Sequence, residues 1–318
     1  MVSDSAVHSL AGAAGGIVAM SATYPLIVLS TRAAVDAKND GKSVAEKFLE
    51  IVKREGVAGL YSGLSPSLLG IAVTNGVYYY FYERSRGIIL NSRRGSKALS
   101  TLESILAGVI AGSTTTIISN PIWVVQTSQA VRAAEPSPSK DSHLYVAPTQ
   151  PSVLQTIQTI LAKDGLKGFF RGLGPALVLV INPVLQYTVF EQLKNFLVKT
   201  RTAKMRARGA GSAVAVLSDW DFFVLGALSK LVATSATYPY IVIKSRLQAG
   251  KEHAKQYRSS LDGLATILRE EGIQGLYKGV GSKLIQSVLT AAILFAGQRR
   301  IYEFTKKAVT SMAKPSPN

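Results

Sequence analysis

The sequence predicts an all-α membrane protein whose six transmembrane helices form three tandem repeats. A proline in one recurring context, an acid-Gly turn that keeps the same beat, and six stretches nearly free of charge carry that prediction. The prolines stand at Thr23-Tyr24-Pro25, Ser119-Asn120-Pro121 and Thr237-Tyr238-Pro239, each closing an apolar run that begins near Gly12, Gly108 or Gly226. The turn recurs as Glu55-Gly56 leading to Tyr61-Ser62-Gly63, Asp164-Gly165 leading to Phe170-Arg171-Gly172, and Glu271-Gly272 leading to Tyr277-Lys278-Gly279. A period of about a hundred residues is far longer than the roughly 20 to 50 of solenoid repeats. It fits a helix pair repeated three times, with units at 1–98, 99–212 and 213–318.

The apolar runs cover residues 10–31, 64–82, 104–125, 173–190, 222–243 and 284–297. Most reach the roughly 20 residues that an α-helix needs to cross a bilayer. An even number of spans puts both termini on one side. Several spans carry Gly, Ser, Thr, Asn and Gln, which suit helices that line a wet cavity or pack closely and ill suit a lipid-facing surface. A pore or transporter follows.

Within each repeat the first span is expected to bend or break at Pro25, Pro121 or Pro239, because an internal proline removes one backbone hydrogen bond. A polar loop follows, then a short amphipathic helix (around Val44 to Lys53, Val153 to Lys163 and Leu261 to Glu270) that should lie along the membrane surface. Gly56, Gly165 and Gly272 are placed to act as left-handed C-caps. The second spans open at Pro66, Pro175 and Ser282, a favoured first-turn use of proline in two of the three. The Gly12-x-x-x-Gly16 and Gly108-x-x-x-Gly112 pairs sit in helical rather than strand context and predict tight helix packing. The loop holding Pro136, Pro138, Pro148 and Pro151 is expected to be mobile.

The net charge of +17 is unevenly spread. The connection after span two carries Arg84, Arg86, Arg93, Arg94 and Lys97, and that after span four carries Lys194, Lys199, Arg201, Lys204, Arg206 and Arg208, whereas the opposite loops mix signs. The positive-inside rule then places the termini in the cytosol. A pI near 10.0 suits a nucleic-acid binder, but six apolar spans without a recognised binding motif do not. No cysteine occurs and His8, His143 and His253 are scattered, so thiol chemistry is excluded and neither metal nor cofactor is expected. No Arg-rich presequence or signal peptide is evident, so targeting is expected to be internal. The basic segment 199–208 is a candidate address for a membrane-protein import receptor, beside its plainer reading as positive-inside charge.

The two signatures together, Pro-x-acid-x-x-base and then acid-Gly with aromatic-base-Gly, resemble the mitochondrial carrier family over essentially the whole chain. The resemblance implies a pseudo-threefold six-helix barrel with a central cavity open alternately to either side. The stretches Gly275 to Ala292 and Asn182 to Tyr187 resemble the peroxisomal branch of that family, which moves adenine nucleotides, coenzyme A or NAD. The chain also departs from the pattern. Ile27, Trp123 and Ile241 hold the acid position, and Ser30, Gln126 and Lys244 hold the base position. The far-side gate is thereby reduced to Gln126 and Lys244, with closure resting on packing or weak polar contacts. On the cytosolic side the family's aromatic-acid-x-x-base motif is matched by Tyr82-Glu83-Arg84-Ser85-Arg86 and Phe190-Glu191-Gln192-Leu193-Lys194, while the third copy has Arg299 in place of the acid. Glu83, Arg86, Glu191, Lys194 and Arg299 are the expected partial gate.

A threefold barrel that holds an asymmetric molecule must break its symmetry at the site. Lys230 stands where the other repeats have Gly16 and Gly112, and Lys283 where they have Ser67 and Ala176. A cation in mid-membrane is costly unless it meets water or a counter-ion. An anionic substrate would serve for Lys230, as would a backbone carbonyl or Asp221. Lys283 meets phosphates or snorkels to the interface, with Gln286 on the same face. Thr74, Asn182 and Thr290 either hydrogen-bond a base or ribose or join helix to helix. Tyr78, Tyr79, Tyr80 and Tyr82 wrap around span two, so at most two can face the cavity and stack on adenine. The expectation is a monomeric, multi-pass exchanger of ATP against AMP or ADP in the peroxisomal membrane. Coenzyme A, NAD or FAD is the alternative cargo, and the mitochondrial inner membrane satisfies the same physics. A non-transporting scaffold is the rival of another class.

Overall fold

The computed structural model describes residues 4–36, 42–92, 99–132, 151–207, 215–250, 257 and 259–294, and among these every regular element is helical. The proline-bearing helices of the three repeats are α1 (Asp4–Val35), α4 (Thr101–Arg132) and α8 (Asp219–Ala249). Each precedes a short helix, α2 (Val44–Gly59), α5 (Val153–Asp164) or α9 (Ser260–Glu270). The second long helices are α3 (Leu64–Asn91), the pair α6 (Leu173–Val178) and α7 (Asn182–Ala207), and α11, which is described over 280–294 and preceded by the short α10 (Gly272–Leu276). Ser43 and Ser152 start α2 and α5 with full capping boxes, using Glu46 and Gln155, which satisfies backbone donors at each helix start.

Burial runs opposite to that of a water-soluble protein. Ile17, Leu69, Leu106, Ile118 and Val232 are exposed, while Thr23, Ser119, Asn120, Gln126, Thr127 and Gln248 are buried. Hydrocarbon is the solvent for the outer face, so polar groups turn inward and pair with one another. Gly15–Val35, Thr101–Val131 and Leu166–Ala207 are each long and apolar enough to cross a bilayer, and α2 with α3 forms a bent pair at 71° that passes the same test together. α8 has the length but carries Lys230 and Lys244.

Two local expectations are corrected. α1, α4 and α8 continue as helices through their prolines, and the break falls instead in the fourth span. There a 3-10 turn at Leu179–Ile181 separates α6 from α7, next to Pro183, whose missing N–H weakens the α-helical ladder at that point. Val180 of this turn lies against Gly112, where a Cβ would stand 2.8 Å from Val180 Cγ1. Gly56 (φ 71°, ψ −176°) and Gly165 (φ 64°, ψ −162°) do have positive φ. Their ψ is extended rather than left-handed helical, a region essentially restricted to glycine. The loop at 136–150 lies outside the described residues.

The residue before each proline ties its helix to the turn of the same repeat. Tyr24 Oη donates to Ser62 O at 3.1 Å, Asn120 Nδ2 to Arg171 O at 3.2 Å, and Tyr238 Oη to Lys278 O at 3.0 Å. The next residue is a glycine with positive φ: Gly63 (85°), Gly172 (70°) and Gly279 (82°). Each glycine then seats on a backbone carbonyl of the following repeat. A Cβ would come within 2.9 Å of Gln126 O at Gly63, 3.0 Å of Lys244 O at Gly172, and 2.6 Å of Ser30 O at Gly279. Repeat one thus meets two, two meets three and three meets one, which closes the ring.

The side opposite the termini is shut by a second cyclic set. Arg32 Nε donates to Ala130 O at 2.8 Å, Ser128 Oγ to Gln248 O at 3.3 Å, and Arg246 Nε to Ala34 O at 2.9 Å. These are equivalent positions of α1, α4 and α8, each bonding the next helix round. Val35, Val131 and Ala249, also equivalent, pack together at the end of the barrel. Arg32 is steadied by Glu55 at 2.7 and 2.8 Å and Arg246 by Glu271. In the second repeat, where serine replaces the arginine, Arg171 pairs with Asp164 at 2.5 Å and reaches Gln248 O at 3.5 Å. Closure therefore rests on arginine-to-carbonyl bonds and an apolar plug.

Gly279→Ala should strongly lower the unfolding temperature of the detergent-solubilised protein, because the new methyl is both conformationally strained, by about 1 kcal/mol or more, and pressed onto Ser30 O. Gly281→Ala, with open space around its Cβ position, should leave that temperature unchanged or slightly raised. Glu271→Gln strips the partner from the guanidinium of Arg246, which is 2% exposed, and should cost about 3–5 kcal/mol in the same melting assay.

Candidate substrate site

A cavity of 720 Å³ runs between α3, α4, α6 and α7, from Leu99, Thr101 and Tyr187 near the termini side down to Asn120, Trp123 and Lys244. Tyr78 and Tyr82 line it as a parallel stacked pair with ring centroids 5.9 Å apart, whereas Tyr79 and Tyr80 are exposed and are not among its lining residues. Two of the four tyrosines of span two thus face the cavity, as the helical spacing allowed. Lys244 is the only charged residue among the described residues that line it.

Lys230 and Lys244 lie on α8 and Lys283 on α11. The ammonium of Lys283 is within electrostatic range of both of the others, so the three cations share one region of the barrel. Among the described residues none of the three has a hydrogen-bond or ion-pair partner. Asp221, the acid nearest Lys230 in sequence, is held by Arg201 at 2.6 Å through both carboxylate oxygens. Like charges brought together without a carboxylate repel, and at this depth the arrangement is costly until an anion enters.

The other predicted site residues form bonds between and within helices. Thr74 Oγ1 accepts from Trp123 Nε1 at 3.3 Å, joining α3 to α4. Asn182 Nδ2 donates to Ala233 O at 3.2 Å and Thr237 Oγ1 at 2.7 Å, joining α7 to α8. Thr290 lies 3.1 Å from Thr23, joining α11 to α1, and also accepts from Gln286 at 3.0 Å. Gln126 donates to Tyr24 Oη at 3.4 Å and accepts from Thr127, so its amide braces the residue before Pro25 and Lys244 stands apart from it.

At the termini side the pairs stay within their own helices. Glu83 bonds Arg86 at 3.2 Å and Glu191 bonds Lys194 at 2.6 Å, while Arg299 lies outside the described residues. With the far side sealed and these pairs held within their own helices, the cavity among the described residues opens toward the termini. Two functional positions escaped the sequence reading. Trp123 was noted as a lost acid, although a position that normally carries a gate acid must face the barrel axis. Arg171 was noted as part of a motif, although Ser128 opposite Arg32 and Arg246 signalled that a guanidinium was missing.

The family profile described as "Mitochondrial carrier protein" matches residues 3–93, 97–201 and 216–313. The peroxisomal nicotinamide adenine dinucleotide carrier of Arabidopsis thaliana is 37% identical over 319 residues, covering 92% of this chain and 94% of that protein. Peroxisomal membrane protein PMP34 of Mus musculus is 31% identical over 300 residues, covering 92% and 91%. Peroxisomal membrane protein PMP47B of Candida boidinii is 30% identical over 377 residues, covering 92% and 84%. Three matched segments, one for each helix-pair repeat, around a barrel sealed at one end and charged within, place this chain in the mitochondrial carrier family, whose members are transporters and not enzymes.

Proposed function

We propose that this carrier exchanges anionic adenine nucleotides, ATP against AMP or ADP, across the peroxisomal membrane by alternating access. The observation that carries this reading is the group of three lysines without counter-ions among the described residues, one of which, Lys244, lines the cavity. Phosphate oxygens supply the missing negative charge, and charge-assisted bonds to them are the strong kind. The bound anion removes repulsion among Lys230, Lys244 and Lys283, which offsets part of the cost of parting the far-side ring. Glu83, Arg86, Glu191 and Lys194 then exchange their present partners for neighbours on adjacent helices and, with Arg299, close the mouth.

NAD is a second reading, favoured by the 37% identity to a peroxisomal carrier named for that dinucleotide; it offers the same diphosphate to the same lysines. The peroxisomal placement draws on three relatives whose names carry that organelle. The cavity is enclosed by helices of one chain, which suits a monomer. The basic end of α7, with Lys199, Lys204 and Arg206 past the apolar run, is a surface on which an import receptor would act.

Labelled ATP should enter liposomes that carry the purified protein when they are preloaded with ATP, ADP or AMP, and enter poorly when empty. Preference for internal NAD or coenzyme A would move the cargo to the second reading, and no uptake under any loading would sink the transport proposal. Lys230→Ala and Lys283→Ala should each reduce the initial rate at low substrate by about tenfold or more; a normal rate in both would remove the lysine site. Glu83→Gln combined with Glu191→Gln should slow exchange without weakening substrate binding, and an unaltered exchange rate would dispose of the proposed gate.

A further inference from the structure

We infer that the α3–α4 wall of the cavity, formed by Trp123 with Tyr78 and Tyr82, is the subsite for the substrate's planar ring, apart from the lysines of the third repeat. This rests on the anion-carrier reading above and adds to it the moiety that the uncharged side of the barrel recognises.

Trp123 replaces an acid position whose equivalents in the other repeats are Ile27 and Ile241, so only the second repeat presents an aromatic ring there. The indole is fixed from two directions. Its Nε1 donates to Thr74, and its six-membered ring rests on Gly70, where a Cβ would already be 3.2 Å from Cζ2. Thr74, Tyr78 and Tyr82 recur every fourth residue of α3 and therefore share one face of that helix. Trp123 and the two tyrosines thus follow one another along the wall, from the floor toward the mouth.

That wall offers no charge to a phosphate, since Lys244 alone among the described cavity-lining residues is ionic. Lys230 and Lys283 stand on α8 and α11 of the third repeat, apart from α3 and α4. An anion without a flat ring would engage only the lysines. A nucleotide would engage both faces, with its base against preoriented aromatic rings at little conformational cost. The polarity of the cavity thereby becomes a criterion that separates nucleotides from pyrophosphate or other small polyanions.

The sequence has two tryptophans, and Trp220, at the outer end of α8, stacks on Phe223. In a Trp220→Phe background Trp123 becomes the sole indole emitter. ADP and NAD added to that purified protein should quench it, while pyrophosphate should displace them without quenching. Trp123→Leu and Tyr78→Leu should each weaken ADP binding about tenfold and leave pyrophosphate binding, measured by calorimetry, unchanged. Trp123→Phe should retain most of the ADP affinity. Retained pyrophosphate binding also certifies that each variant is folded. The ring subsite is overturned if pyrophosphate quenches as ADP does, if both leucine variants bind ADP normally, or if they lose ADP and pyrophosphate equally. Absence of binding of both ligands to the parent protein would instead overturn the lysine site, and the ring subsite with it.

Discussion

Three glycines seated on three backbone carbonyls hold this barrel together. Gly63 on Gln126 O, Gly172 on Lys244 O and Gly279 on Ser30 O bring each repeat against the next at a distance that no side chain permits. Because the contact is made by main chain, it does not fix which side chains stand at the carbonyl positions, though the Gln126 amide also braces Tyr24. Those positions carry Gln126, Lys244 and Ser30, three different chemistries on one symmetric frame. A substrate without threefold symmetry needs that separation between what builds the ring and what reads the ligand.

Charge is partitioned in the same way. Arg32 and Arg246 are matched to acids of their own repeats and to carbonyls of the neighbouring ones, so they fix structure. Lys230, Lys244 and Lys283 are matched to nothing in the described protein, and from that the anion-carrier proposal starts. The distinction follows residue type. A guanidinium offers several directed donors that can serve an acid and a carbonyl together, whereas an ammonium is a compact charge whose strongest partner can come and go.

The repeat architecture was legible from the prolines and the acid-Gly turns because backbone geometry imposes both at fixed intervals. The lysines were legible because a charge inside an apolar run is expensive. The fate of Thr74, Asn182 and Thr290 was not legible, since a polar side chain in mid-span has the same appearance whether it faces a ligand or the next helix. The continuous course of α1, α4 and α8 was also hidden. α1, α4 and α8 remain helical on both sides of their prolines despite one lost hydrogen bond, whereas the fourth span, beside Pro183 and against Gly112, yields to a 3-10 turn. Capping at Ser43 and Ser152 was available in the Ser-x-x-Glu and Ser-x-x-Gln spacing and needed only to be read.

The latch at the sealed end has unequal members. Two of its seams are fastened by a charged guanidinium at 2.8 and 2.9 Å, and the third by several bonds: Ser128 to Gln248 O at 3.3 Å, Thr127 to Gln248 Oε1 at 3.2 Å, Gln248 to Asn120 Oδ1 at 3.3 Å and Arg171 reaching in at 3.5 Å. Bonds from ionised donors are shorter and roughly twice as strong as neutral ones, so two seams each rest on a strong guanidinium bond and the third on a set of longer ones. Lys244 stands on that seam, its carbonyl under Gly172. The threefold frame is therefore fastened unequally, and the seam between the second and third repeats is the one that holds an ammonium without a partner among the described residues.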